Sequence, residues 1–251
     1  MSLFDRSASK LSGKTTLLLT ADPGNALLDA ARLYDAEVRH WHGRLVFRNG
    51  VLLFGPVTLT PKIEQQAGLP AGFAVAWYTG AAIQRHSEER AHMAKQEDGD
   101  RLVRGLADRL GGTTYPAHLQ PELALLASVY SEQGLSVEQV IEALEPYGGE
   151  LRAEDEKPDS YGMTGQGAPF YVGYFGPRLY LEREAPPAVG AMRSTPLHHW
   201  DINTGVRASK AASELSLKVG EAALALASRS GGVALDMLGF RISSAQELLP
   251  R

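Results

Sequence analysis

"LADRLGG" (residues 106–112) and "LASRSGG" (residues 226–232) begin 120 residues apart and agree at five of seven positions. Each closes an amphipathic run. Val103, Leu106 and Leu110 recur on one helical face in the first, and Leu215, Val219, Ala222 and Leu226 in the second. A glycine pair after such a run predicts a helix stop, because the residue just past a helix commonly turns left-handed. Short apolar stretches follow both stops, Thr113–Tyr115 and Val233–Leu238, and read as strands. Upstream, Trp77…Thr79-Gly80 has a counterpart in Trp200…Thr204-Gly205.

Working outward, the first half reads β-α-β-β-β-α-β. Thr15–Ala21 predicts a strand. Asp22-Pro23-Gly24-Asn25 is turn chemistry, with Asp22 or Asn25 as the cap of a helix over Ala26–Tyr34. Glu37–Arg48 predicts one long strand, with Trp41, Leu45 and Phe47 facing the core and His40, His42, Arg44 and Arg48 on the other side. Asn49-Gly50 is a hairpin signal, since both residues tolerate positive φ. It leads into the returning strand Val51–Phe54. Phe73–Tyr78 reads as a central strand, and Glu88–Leu110 as the second helix.

The second half repeats this order. Leu125–Tyr130 reads as a strand, and Ser136 caps a helix through Val140, Ile141 and Leu144 that stops at Gly148-Gly149. Strands are expected near Phe170–Phe175, Leu179–Glu184 and Leu197–Asn203, and a helix over Ala208–Arg229. The expectation is an α+β protein of two similar ferredoxin-like halves. Each half would be an antiparallel sheet with helices packed on one face, produced by internal duplication. The divisions expected are a polar N-terminal arm (1–14), a first unit (15–118) and a second unit (119–251), joined near Ala117–Pro121. A groove between the halves is the first place to expect a ligand.

Several function classes are excluded or disfavoured. The chain of 251 residues has no cysteine, which removes disulfides, thiolate metal sites and cysteine nucleophiles. Its net charge of −4 disfavours nucleic acid. No stretch reaches the length of a membrane span, and no signal-peptide pattern opens the chain, so a soluble cytoplasmic protein is expected. Gly13-Lys14-Thr15-Thr16 resembles the end of a phosphate-binding loop. That loop needs a glycine five residues earlier and a strand before it; position 8 is Ala8, and the strand comes after.

The candidate chemistry lies on strands. His40 and His42, and in the second half His199 and Asp201, are the residue types that hold zinc or another divalent metal. With Arg44 facing a substrate, they would make a metal-dependent hydrolase or lyase. "SYGMTGQGAPFYVGYFGPRLY" (160–180) sets five glycines among aromatics, and Tyr171 and Tyr174 are its candidate ligand contacts. His86, Glu89 and His92 match no metalloprotease spacing and read as a solvated helix start. "ELRAEDEKPD" (150–159) reads as a solvated acidic loop. No nucleophile elbow occurs. The function expected is therefore a non-catalytic binding or accessory protein whose partner is a protein or a small molecule. No cofactor is expected, and a divalent metal is the alternative.

Overall fold

The computed structural model describes residues 3–81, 89–116, 124–148, 150–157, 160–165, 167–180, 185–207 and 211–249. It is α+β, with two six-stranded antiparallel sheets. The chain divides into two compact units, Met1–Pro121 and Glu122–Arg251. The linker expected at Ala117–Pro121 lies outside the described residues, as do His86, Gly149 and the end of the strand expected at Leu179–Glu184.

Unit 1 runs α1 (Leu3–Leu11), β1 (Thr16–Leu19), α2 (Asn25–Tyr34), β2 (Arg39–His40), β3 (Arg44–Val46), β4 (Val51–Thr58), α3 (Pro61–Ala67), β5 (Val75–Ala81), α4 (Glu89–Leu110) and β6 (Thr113–Tyr115). The polar segment ahead of β1 holds a helix, and that helix buries Ala8 and Leu11. It then turns through Gly13 straight into β1, so helix precedes strand, the reverse of a phosphate loop. Gly24, not Asp22 or Asn25, occupies the cap position of α2, while the Asp22 carboxylate accepts from the Gly24 amide at 3.0 Å in the preceding turn.

The sheet order is β2-β3-β4-β5-β1-β6. Leu17 pairs with Trp77 and Leu18 with Ala76, so neighbouring pairs face opposite sides. Leu18 and Ala76 share a core with Leu11 of α1 and Ile63 of α3. On the other side α4 crosses the sheet, with Gly99 lying against Thr79. Helices therefore cover both faces of this sheet, where one covered face was expected. The addition is α1 and α3. Helix α3 carries its own punctuation: Thr60 accepts from the Ile63 amide at 3.3 Å, Pro61 fills the first turn, and Gly68 ends it at φ 69°.

The stretch expected to be one long strand is a hairpin. His42 and Gly43 take φ 46° and 71°. Trp41 and Arg44 exchange backbone hydrogen bonds at 2.8 and 3.2 Å around them. Two positive-φ residues inside such a pair make the two-residue turn whose twist matches a hairpin. Beyond the turn Leu45 and Phe47 are buried as expected, each 2% exposed, while Trp41, expected in the core with them, is 54% exposed. At Asn49-Gly50 only Gly50 takes positive φ (83°), and its amide bonds back to the Phe47 carbonyl at 3.0 Å, giving a longer connection than a two-residue turn.

Unit 2 runs β7 (Ala124–Ser131), α5 (Val137–Gly148), β8 (Arg152–Lys157), β9 (Ser160–Thr164), β10 (Tyr171–Tyr174), a 3-10 segment (Pro187–Ser194), β11 (His198–Arg207), α6 (Ser213–Ser230), β12 (Val233–Asp236) and a short 3-10 turn (Ala245–Leu248). The acidic run expected as a loop is edge strand β8, and the glycine-rich stretch supplies β9 and β10. Ser136 caps α5 reciprocally with Gln139: its hydroxyl accepts from the Gln139 amide at 3.3 Å, and the Gln139 side chain accepts from the Ser136 amide at 2.9 Å.

Its sheet runs β8-β9-β10-β11-β7-β12. Counted within each unit, both sheets have the order second, third, fourth, fifth, first, sixth. Helices α5 and α6 pack on one face over Val129, Trp200, Ile202, Val172 and Met163. The opposite face is partly covered by Ala185, Ala188 and Val189 against Tyr130, Leu197 and Leu235.

The two glycine endings do the same job. Gly111 and Gly231 both sit at φ 65°. The next amides, of Gly112 and Gly232, return to the Ala107 and Ala227 carbonyls at 2.9 and 2.8 Å. A Cβ on Gly112 would overlap the Leu18 carbonyl, and one on Gly232 the Tyr130 carbonyl. Those carbonyls belong to β1 and β7, the first strand of each unit, against which β6 and β12 lie.

Candidate functional site

The candidate site is built on β11 of unit 2. His199, Asp201 and Asn203 alternate with Trp200 and Ile202, which fill the helix-covered core. The polar three therefore emerge on the other face. Cross-strand register sets Tyr130 opposite His199, Ser128 opposite Asp201, and Tyr171 opposite Asn203.

His199 Nε2 lies 2.8 Å from Asp201 Oδ1, and the Ser128 hydroxyl donates to the same carboxylate at 2.6 Å. Tyr180 Oη lies 3.2 Å from His199 Nδ1. Burial raises the proton affinity of Asp201. The hydrogen bond and charge of His199, together with the Ser128 hydroxyl, outweigh it and hold the carboxyl below its ordinary range. An ionised Asp201 only accepts, so Nε2 carries hydrogen. In the neutral ring Nδ1 then accepts from the Tyr180 hydroxyl. The Tyr130 ring stacks on the imidazole at 4.3 Å and 13°, and Phe175 tilts against it at 5.3 Å. Burial, with Tyr180 and Asp201 nearby, pushes the Tyr130 phenol upward.

This arrangement fixes the orientation of His199. A nucleophilic serine needs its hydroxyl on the imidazole. Here Ser128 bonds the carboxylate, and both ring nitrogens are engaged.

Beside this network lies a flat aromatic surface. Gly162 and Gly173 pair across β9 and β10. A Cβ on Gly162 would strike the Tyr171 ring and hydroxyl, so glycine is what lets that ring lie across the strand. Tyr171 is 45% and Phe175 36% exposed. Next to Tyr171 a groove of about 420 Å3 is lined by Thr164, Gly165, Asn203 and Gly205. The Asn203 carbonyl oxygen accepts from the Gly205 amide at 2.7 Å, and its amide nitrogen donates to no described residue.

Tyr174 points the other way. It packs on Trp200 and Tyr161 in the core, and its hydroxyl meets His198 Nδ1 at 2.6 Å. Burial holds the His198 imidazole below its usual proton affinity. His40, His42 and Arg44 belong to unit 1: His40 is exposed on β2, His42 sits in the turn, and Arg44 lies on β3. Among the described residues no three His, Asp or Glu side chains gather as metal donors do. No described helix is long and apolar enough to cross a membrane.

The alternation of β11 pointed to His199 and Asp201. Ser128, Tyr130 and Tyr180 come from other parts of the chain, and only the register of β7 against β11 exposes the first two. Comparison with protein-family models, with curated proteins and with solved structures finds no match.

Proposed function

We propose that the protein works by binding and not by catalysis, taking a small polar molecule with a flat ring on the unit 2 sheet face. The observation that carries this is Tyr171: an exposed ring laid over Gly162, beside an open groove and the unspent amide of Asn203. Ligand sites pair a flat apolar contact with a few placed polar groups. The Tyr180–His199–Asp201–Ser128 network acts as a rigid wall, because each member is already hydrogen-bonded.

The framework for this reading is a duplicated ferredoxin-like module. In each unit the first, fourth, fifth and sixth strands have the antiparallel order of that module, with two further strands added at one edge. The shared strand order and the matched glycine endings support a common origin.

Saturation-transfer NMR against a library of small ring-bearing compounds tests the binding reading. Hits should lose transfer in Tyr171→Ala and keep it in a variant on the helix-covered side of the same unit such as Lys218→Ala. Hits that survive Tyr171→Ala, or turnover that disappears in His199→Ala, would reject it.

A further inference from the structure

A second recognition point lies in unit 1, at the tip of the β2–β3 hairpin. The Arg44 guanidinium sits 4.2 Å from the centre of the Trp41 ring and 5.7 Å from that of Phe54. Phe54 stacks in turn on Tyr78 at 5.3 Å and 14°. The row follows the register, since Arg44 pairs with Phe54 and Phe54 with Tyr78. Arg44 Nε is buried, and among the described residues the guanidinium has no hydrogen-bond or ionic partner. Rings on a guanidinium cover its faces and leave its edge, the side that grips a carboxylate with two parallel N–H donors.

The surroundings select an anionic partner. Residues 38–47 carry Arg39, His40, His42 and Arg44 and no acid, in a chain of net charge −4. Arg48, just beyond, is already paired with Glu37. The exposed ring selects a macromolecule. Trp41 is 54% exposed beside the two-residue turn, with the half-buried Arg44 against it, and Trp and Arg are the residues that dominate protein interfaces.

We infer that the Trp41–Arg44 pair docks a carboxylate-bearing segment of a partner protein, with Arg44 gripping the acid and Trp41 covering the apolar residue beside it. The inference is independent of the unit 2 site.

Tryptophan fluorescence tests it directly, because Trp77 and Trp200, the other two tryptophans, are 5% and 0% exposed. Acrylamide quenching therefore reports on Trp41. The probes are an acetylated peptide of alternating Glu and Leu, its Lys–Leu counterpart, and an oligouridylate of equal negative charge. The Glu–Leu peptide should protect Trp41, and Arg44→Lys should weaken its binding at least about tenfold while leaving the far-UV spectrum unchanged. Absence of protection, equal protection by the Lys–Leu peptide, tighter binding of the oligouridylate, or unchanged affinity in Arg44→Lys would each overturn it.

Discussion

Alanine placed at the two members of each glycine pair should separate conformational strain from collision. At Gly111 and Gly231 φ is 65° and a Cβ meets nothing within 4 Å. Alanine there bears only the left-handed penalty, about 1 kcal/mol. At Gly112 a Cβ falls 2.5 Å from Leu19 Cδ2 and 2.7 Å from the Leu18 carbonyl oxygen. At Gly232 it overlaps the Tyr130 carbonyl and lies 2.8 Å from Ser131 Cβ. Relief requires moving backbone, so the last strand must shift from the first, at a cost of about 2–3 kcal/mol. Urea unfolding followed by near-UV circular dichroism measures the difference. Gly112→Ala and Gly232→Ala should each lower the midpoint about twice as far as Gly111→Ala and Gly231→Ala, with m unchanged. Equal losses at both members of a pair would refute the argument, and a neutral Gly232→Ala would show that β12 does not lean on β7 as described.

Other consequences are open to measurement. His42→Asn should stabilise unit 1 by about 0.5–1 kcal/mol, read as a raised urea midpoint, because Asn accepts the φ of 46° at less cost than His. Trp200→Ala should cost about 3–5 kcal/mol, since the side chain is fully buried in the unit 2 core. The folded protein lowers the pKa of His198, so the unfolded chain binds the proton first and stability falls as pH drops below the ordinary His value of about 6.5. His198→Phe should flatten thermal stability across that range. Asp201 is also lowered when folded, so its contribution is present above the ordinary Asp value and disappears as pH falls through the lower folded one. Asp201→Asn should remove that acid-side loss in a thermal melt series.

The elements that stood out in the sequence are those whose signals are local. The glycine endings, the Ser136 cap, the apolar strand at Phe73–Tyr78 and the amphipathic faces of α4 and α6 each depend on a few neighbouring residues. The misreadings came where context overrides local pattern. His42-Gly43 lacks the Asn or Asp common in such turns, so the alternation from Glu37 to Arg48 looked continuous. The β8 strand is charged because it is an edge, and charge on an edge resists pairing with other chains. Helix α3 was not expected: Thr60-Pro61 and Gly68 bracket only seven residues, too few for a clear periodicity. At the site, period-two alternation gave the His199–Asp201 pair and its face. Tyr171 and Tyr174, three apart on one strand, necessarily face opposite sides. The partners of His199 needed the strand register, which residue spacing does not encode.

The most direct test of the binding account is an amide chemical-shift map of the isotope-labelled protein titrated with a hit from the ring-compound screen. The account predicts saturable shifts clustered at Thr164, Gly165, Tyr171, Asn203 and Gly205, abolished in Tyr171→Ala, with no chemical change in the ligand over the titration. Shifts that leave these residues unmoved, or conversion of the ligand to a product in the tube, would contradict it.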